Sequence, residues 1–597
     1  MFNRLCSLII LAVLLLTTSL LRAAPPGLIA TFQSTKPNSP PEDSRIARLP
    51  SLYVPENTPP STFTPPGPFK STFSGNIELR LRDDLSFSLA GRGQAKLSIN
   101  GQPILELSGD NWRHEPTKTI TLNKGKNQLL IEYTSPQTGD AFFRLYWSSS
   151  EFPPEPIPPT ILTHDPAPAL ETSAKLREGR FLLVNLRCLT CHADQKLQPT
   201  IISARQLTTD NGPLTTDTLQ NLPMPELALD APGFENIGSR LNQTWITHWI
   251  TNPKSLRHNA TMPKLPIDQN KAADIAAYLS TLNSPDKPAD PPSSDELIAA
   301  GGRLFAHRHC NACHTLPDAE KIDVENGRTP LNYIKAKYQP AALFAFLKNP
   351  QQHYAWIRMP NFKFTDLEAQ RLTAFIISRP QKSLEAPPIK SNPESGKSLL
   401  ASSGCLNCHN LPDNKSTLHS PPLTNLDRGC LSPASTSAPR FDLTDLQRQS
   451  ITSFLKTDHS SLFHESLPEF SQRQLLHLRC TACHTRDNTD DLYSQLEEEV
   501  APLISDGVDD EPGGEGDERI AEDQSEPILT WAGEKLKPEW TTQLLLGQID
   551  YRLRPWLRAR MPAFPARGKF LAHALPLEHG VPPISPPDPT PDQNLAP

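Results

Sequence analysis

The string Cys-x-x-Cys-His occurs four times, as Cys188-Leu-Thr-Cys191-His192, Cys310-Asn-Ala-Cys313-His314, Cys405-Leu-Asn-Cys408-His409 and Cys480-Thr-Ala-Cys483-His484. Two thiols three residues apart lie on one side of a helical turn, and the next residue presents an imidazole from that turn. Cys-x-x-Cys alone would suit a zinc site or a pair of disulfides. Here every pair runs straight into histidine, in a chain with 17 His among 597 residues, which makes four coincidences implausible. The string is the attachment signature of c-type haem: the thiols add to the two vinyl groups and the imidazole becomes the proximal iron ligand. Cys188, Cys191, Cys310, Cys313, Cys405, Cys408, Cys480 and Cys483 are therefore expected to hold four covalently bound haem c groups, with His192, His314, His409 and His484 on the irons.

The motifs use eight of the 10 cysteines, leaving Cys6 and Cys430, so a disulfide framework is not expected. The net charge is −7 with no long basic run, which sets nucleic-acid binding aside. It mildly favours a basic docking partner. Residues 1–24 read as a secretory signal: Arg4 supplies the positive start, Leu8–Leu16 the apolar core, and Ala23-Ala24 the end. The cleavage site is imperfect, so an uncleaved membrane anchor is the alternative. Either way the chain is expected to be exported, to the periplasm or cell surface. The tail 582–597 is Pro-rich and reads as disordered.

Residues 26–150 differ from all that follows. Short stretches alternate with period two, among them Asn76-Ile-Glu-Leu-Arg-Leu81, Lys96-Leu-Ser-Ile99, Gln128-Leu-Leu-Ile-Glu-Tyr133 and Phe142-Phe-Arg-Leu-Tyr-Trp147, with turns at Asn100-Gly101 and Lys124-Gly125. This is the pattern of an antiparallel β-sandwich. The order Gly27-Leu-Ile-Ala-Thr-Phe32, Leu97-Ser-Ile-Asn-Gly101, Leu122 to Ile131 and Phe143-Arg-Leu-Tyr-Trp147 resembles the protective-antigen-type β-sandwich, often a carbohydrate-binding module. That resemblance implies a carbohydrate or protein ligand. Sugar-binding members hold Ca²⁺ through an Asp pair before the central strand, where this chain has Gly91-Arg-Gly-Gln-Ala95. Asp83-Asp84 falls one strand earlier, so a protein-contact or spacer role is preferred.

A Pro-rich linker, 151–171, leads to four repeats. Gly179, Gly301, Gly396 and Ser471 each stand nine residues before the first Cys, and Leu183, Phe305, Leu400 and Leu475 five before it. A small residue lets a second helix cross closely. Tyr278, Phe375 and Phe454 mark a closing helix in the first three repeats, and Phe570 to Leu575 marks it less clearly in the fourth. This resembles the class I cytochrome c fold over 172–285, 293–382, 391–457 and 468–577, the last with an acidic insertion, 497–526, expected to be solvated. The expected fold class is multidomain: an N-terminal all-β sandwich followed by four small all-α cytochrome c-like domains. An apolar helix then Met-Pro, at Met262, Met359 and Met561, resembles the methionine loop that supplies the sixth iron ligand. Arg552, Arg554, Arg558 and Arg560 are candidates for pairing with haem propionates or for a solvated helix face.

The third repeat breaks the pattern. Arg358-Met359-Pro360-Asn-Phe362 aligns on Ser437-Ala438-Pro439-Arg-Phe441, which puts Ala438 where methionine is expected. The haem on Cys405, Cys408 and His409 is therefore expected to be five-coordinate or to take a substitute. His419 is the first candidate, Cys430 a poorer one, and a ligand donated by a neighbouring repeat a third. The function expected is that of an exported tetrahaem c-type cytochrome passing electrons to a redox partner protein. The alternatives are a peroxidase-like enzyme using the third haem, and a surface binding or sensor protein with haem as redox reporter.

Overall fold

In the computed structural model of the chain, residues 26–585 are described apart from 113–115, 193–195, 211, 213, 287, 318–322, 324–325, 387–389, 421–425, 427, 488, 490–491, 505–525, 552 and 555. The expected leader 1–24, most of the acidic insertion and most of the tail lie outside the described residues. The chain divides into two compact units. One comprises the residues up to Glu56, Pro66–Ala174 and Glu578–Gly580; the other comprises Asn57–Pro65, Lys175–Leu577 and the chain from Val581.

The first unit is built from β1 (Leu28–Ser34), β2 (Asp43–Ala47), β3 (Ser51–Val54), β4 (Phe69–Leu79), β5 (Asp83–Ile99), β6 (Gln102–Trp112), β7 (Ile120–Leu122), β8 (Gly125–Thr134), β9 (Ala141–Ser148), β10 (Glu155–Pro156) and β11 (Leu162–Thr163). They form one antiparallel sheet with the path β10-β9-β5-β8-β4-β1-β2. The two faces of the expected sandwich are thus joined, through β5, into a curved half-barrel. β5 has 17 residues, too long to stay flat in a twisted sheet. Its first half pairs with β9 and its second with β8, and its register against β6 shifts between Gly91 and Gly93. Gly93 has φ +110°, and a Cβ there would press on the Thr134 carbonyl. Alternate residues point inward, so Phe32, Phe73 and Phe143 meet in the core, with Phe73 and Phe143 edge-on at 5.0 Å.

The expected boundary at residue 150 is corrected. Glu155 and Pro156 pair with Trp147 and Tyr146, and Leu162 and Thr163 with Ile77 and Asn76. Ile157 and Leu162 are fully buried in the β core. The prolines concealed this, because a proline is tolerated in a two-residue edge strand. Asp83 and Asp84 open β5 and pair with β7.

The longer helices are α1 (Pro168–Asn185), α2 (Gln198–Thr209), α3 (Gln243–Thr251), α4 (Gln269–Leu279), α5 (Asp295–His307), α6 (Pro340–Lys348), α7 (Asp366–Ser378), α8 (Pro393–Ser402), α9 (Asp445–Leu455), α10 (Leu467–Leu478), α11 (Pro538–Leu545) and α12 (Gly568–Ala574). The second and fourth repeats form the expected crossing within one segment. α5 packs on α7, with a Cβ at Gly301 barred by the Arg371 carbonyl and Phe305 5.6 Å from Phe375. α10 packs on α12, with Phe470 edge-on to Phe570 at 5.8 Å.

The first and third repeats exchange halves. At Gly179 of α1 a Cβ would strike the Ser450 carbonyl and the Phe454 Cβ, both on α9. At Gly396 of α8 it would strike the Asp274 carbonyl, on α4. Segments 172–285 and 391–457 are therefore not self-contained modules, which corrects the expected division. A glycine at a crossing specifies that a backbone approaches closely, not whose backbone it is.

The acidic insertion is corrected at its start. Glu497–Val500 is helical, Val500 is fully buried with Phe305 and Phe375, and Glu499 pairs with Arg328 at 2.8 Å. Among the described residues no helix is long and apolar enough to cross a membrane.

Replacing the buried Leu162 by alanine should cost the β unit about 2–5 kcal/mol, the range for deleting a buried leucine side chain. Thermal unfolding of the full chain should show it as a lowered β-unit midpoint. An unchanged midpoint would mean that residues 151–165 are a linker.

Candidate metal centre

The four motifs sit in one repeated piece of backbone. The residue before the first Cys is left-handed in each: φ is +59° at Arg187, +52° at His309, +80° at Gly404 and +61° at Arg479. That conformation ends the preceding helix and swings the chain into a single helical turn over the two cysteines. The turn closes with backbone N–H bonds of His192, His409 and His484 to the carbonyls of Cys188, Cys405 and Cys480, at 2.9, 3.0 and 3.0 Å. A left-handed non-glycine residue is uncommon, and three at one motif position mark a geometry the motif requires. The nine described cysteines form no disulfide among themselves.

Three of the imidazoles face a backbone carbonyl through Nδ1: His314 that of Thr329 at 3.2 Å, His409 that of Pro232 at 2.8 Å, and His484 that of Pro527 at 2.8 Å. A carbonyl can only accept, so Nδ1 carries the proton and Nε2 keeps its lone pair for a metal. Burial pushes His314 and His409 down to about 4, which keeps both rings neutral. Phe234 stacks on His409 at 4.5 Å, so 231–285 supplies both the carbonyl and the wall for the third motif.

Thr190 Oγ1 lies 3.1 Å from Cys408 Sγ, and Asn407 donates to Cys191 Sγ at 3.6 Å, which sets the first and third turns side by side. The second and fourth turns both lie against the short helix Leu492–Gln495. The distal loops pair likewise, through bridges Lys264↔Arg440 and Asn361↔Ala563.

One continuous cavity of ≈ 1860 Å³ is lined by all four cysteine pairs and their histidines, and by Met262, Met359 and Met561. On its wall Arg257, Arg358 and Arg479 form no ion pair among the described residues, and Nε of Arg257 and Nη1 of Arg479 are buried without a hydrogen-bond partner. Burial first, then their neighbouring guanidiniums, hold Arg257 and Arg358 below the usual arginine range. Uncompensated cations on an apolar wall beside thiol pairs and metal-ready imidazoles fit haem, whose propionates would supply the missing anions. A zinc site needs three or four protein donors. Among the described residues no three His, Cys, Asp or Glu converge.

Other expected residues fall elsewhere. His419 is exposed and does not line the cavity, so it is corrected as a sixth ligand. Met262 leads into α4, which carries α8 and the third motif, whereas the Ala438 loop leads into α9, which carries α1 and the first. A missing methionine therefore does not belong to the turn at Cys405. Arg560 is engaged by Glu368 at 2.7 Å, Arg558 lies 3.1 Å from His307 Nε2, and no helix forms there; Arg552 lies outside the described residues. Met224 is fully buried with Leu183 and Phe454, as a packing residue. Arg257, Arg358, Arg479 and Pro232 were not singled out from the sequence. The doublet Arg358-Met359 and the position of Arg479 beside Cys480 were the available signals.

An ion lattice ties the first motif's helix to the fourth's. Arg473 on α10 reaches Glu226 at 3.1 Å and Glu465 at 2.7 Å, Arg180 on α1 reaches Glu465 at 3.3 Å, and Arg177 reaches Glu469 at 2.6 Å. Burial pushes Glu226 up, but Arg473 and Arg180 outweigh it and hold the carboxyl below the usual range.

Residues 296–376 match the family described as cytochrome c oxidase, cbb3-type, subunit III. This match is to a cytochrome c-type domain, which implies covalent haem c and suggests haem-based electron transfer for that segment. Solved structures similar to the chain match about a quarter of it. One is a PA14 sugar-binding domain from an RTX adhesin, 16% identical, covering 24% of this chain and 100% of that one, with a TM-score of 0.21. Another is an anti-sigma factor domain-containing protein from Clostridium clariflavum, at 18%, 24%, 48% and 0.20. A third is the PA14 domain of the MpAFP antifreeze protein, at 14%, 23%, 90% and 0.19. No curated protein matches the chain.

Arg473→Met should cost about 3–5 kcal/mol at pH 7, because it strands buried carboxylates. Glu226, lowered in the fold, contributes stability above its unfolded pKa of about 4.3, and that contribution is lost as pH falls. The gap between wild-type and variant unfolding free energies should therefore narrow on acidification. A gap that is absent, or that widens in acid, would remove the lattice from the account.

Proposed function

We propose that the chain is an exported tetrahaem c-type cytochrome that passes electrons between haems and on to a partner protein. The observation that carries this reading is the fourfold recurrence of one attachment turn, with every copy facing the same cavity. Haem, when bound, supplies one-electron redox chemistry. The chain's own residues do the rest. Each thiol pair would hold a porphyrin edge, His314, His409 and His484 are held by backbone carbonyls with Nε2 free for the iron, and Met262, Met359 and Met561 would offer thioethers, which raise the potential when bound. The contact between the first and third turns would bring attachment sulfurs of two haems together, which supports a relay. Export rests on the reading of residues 1–24 and on haem attachment outside the bacterial cytoplasm. The β unit is assigned a docking role, towards a protein or a carbohydrate.

Intact-mass measurement of the purified protein should give four haem additions per chain, and spectroelectrochemical titration four one-electron equivalents. The bare polypeptide mass, fewer haems or bound zinc would end this reading.

A further inference from the structure

The four distal loops share one register. Met262, Met359 and Met561 each stand two residues before a bridge residue: Lys264, Asn361 and Ala563. In the fourth loop that bridge residue is Arg440. Its backbone N–H donates to Lys264 O at 2.8 Å and its carbonyl accepts from Lys264 N at 2.9 Å. Asn361 and Ala563 exchange bonds in the same way, at 2.9 and 2.8 Å. The methionine place of the fourth loop is therefore Ala438, fixed by backbone pairing. A second landmark agrees. Short helical turns begin nine residues upstream, at Pro253 and Pro350 before Met262 and Met359, and at Gly429 before Ala438.

The Ala438 loop leads into α9, and α9 is the helix that α1 crosses at Gly179. α1 carries Cys188, Cys191 and His192. The exception thus belongs to the first attachment turn, although Ala438 lies after the third in sequence. A methyl group has no lone pair to give a metal. Pro439 and Phe441 line the cavity, but Ala438 does not, whereas Met and Pro both line it in the other three loops. Of the remaining described imidazoles, His419, His459 and His464 do not line it, whereas His309, His353 and His477 of the second and fourth repeats do, His477 with its ring 6.2 Å from that of Phe181 on α1. Cys430 does, half-buried on the short turn.

Building on the tetrahaem reading, we propose that the haem position at Cys188, Cys191 and His192 has no sixth protein ligand and binds a small diatomic ligand, of which carbon monoxide is the probe. The other three positions are closed by thioethers, with Met262 serving the turn at Cys405. The chain is then an electron carrier with one ligand-binding terminus.

The test uses the full-length, haem-loaded protein, reduced and titrated with carbon monoxide while the Soret band is followed. One haem in four should respond. Ala438→Met should weaken that response at least ten-fold with the haem count unchanged. Met262→Ala should add a second responding haem. Cys188→Ser/Cys191→Ser should abolish the response, and Cys405→Ser/Cys408→Ser should spare it. If the cysteine variants do not fold, the two distal substitutions decide alone. A four-haem wild type that binds no carbon monoxide overturns the proposal, including the case where only Cys430→Ser, His353→Ala or His477→Ala unmasks binding, which would put that side chain on the iron. So does a response untouched by Ala438→Met. Fewer than four haems by intact mass would instead defeat the tetrahaem reading beneath it.

Discussion

A carbonyl oxygen occupies the space where a side chain would be, at Gly179, Gly301 and Gly396, and the helical unit is arranged around those crossings. Each fixes the helix that ends in an attachment turn against the helix that follows a distal loop. No larger residue lets two backbones approach so closely, so the separation between proximal imidazole and distal loop is set there. The left-handed residue after each of these helices then aims the cysteine pair, and the carbonyls of Thr329, Pro232 and Pro527 aim the imidazoles. Position comes from the crossing, orientation from the turn, and tautomer from the carbonyl.

The same crossings explain how one chain builds two coupled pairs. The second and fourth repeats close within themselves and meet at Asn361↔Ala563, and the first and third exchange partners and meet at Lys264↔Arg440. Two different chain paths therefore produce the same face-to-face contact of distal loops. The first and third attachment turns adjoin directly, and the second and fourth share the short helix Leu492–Gln495. The lattice of Arg180, Arg473, Glu226 and Glu465 holds the first turn's helix against the fourth's, across the boundary between the pairs. These carboxylates and guanidiniums are buried and mutually satisfied, so the lattice specifies an arrangement more than it adds stability.

Local chemistry was legible in the sequence and partnership was not. Cys-x-x-Cys-His points to its cofactor because two thiols on one helical turn run straight into an imidazole, and period-two alternation exposed the β core because a strand with one buried face must alternate. The boundary at residue 150 failed where Pro156 and Leu162 sit on short edge strands that make no periodic pattern. His419 failed because nearness in sequence to Cys405 says nothing about which side of the cavity a loop reaches. Val500 and Glu499 were hidden inside an acidic run whose composition suggested only solvent. The exchange between the first and third repeats was out of reach for a deeper reason. Gly179 and Gly396 are interchangeable as signals, and α4 and α9 present equally receptive backbones, so the choice is made by tertiary packing around the intervening repeat.

That exchange is the claim on which the assignment of every distal loop depends, and it can be measured directly. Lys175 on α1 donates to Gln449 on α9 at 3.3 Å. A photo-cross-linking residue at position 175 of the haem-loaded protein, followed by peptide mass spectrometry, reports which closing helix lies beside α1. The account predicts adducts within Asp445–Leu455. Adducts within Gln269–Leu279 would contradict it and return each repeat to a self-contained module.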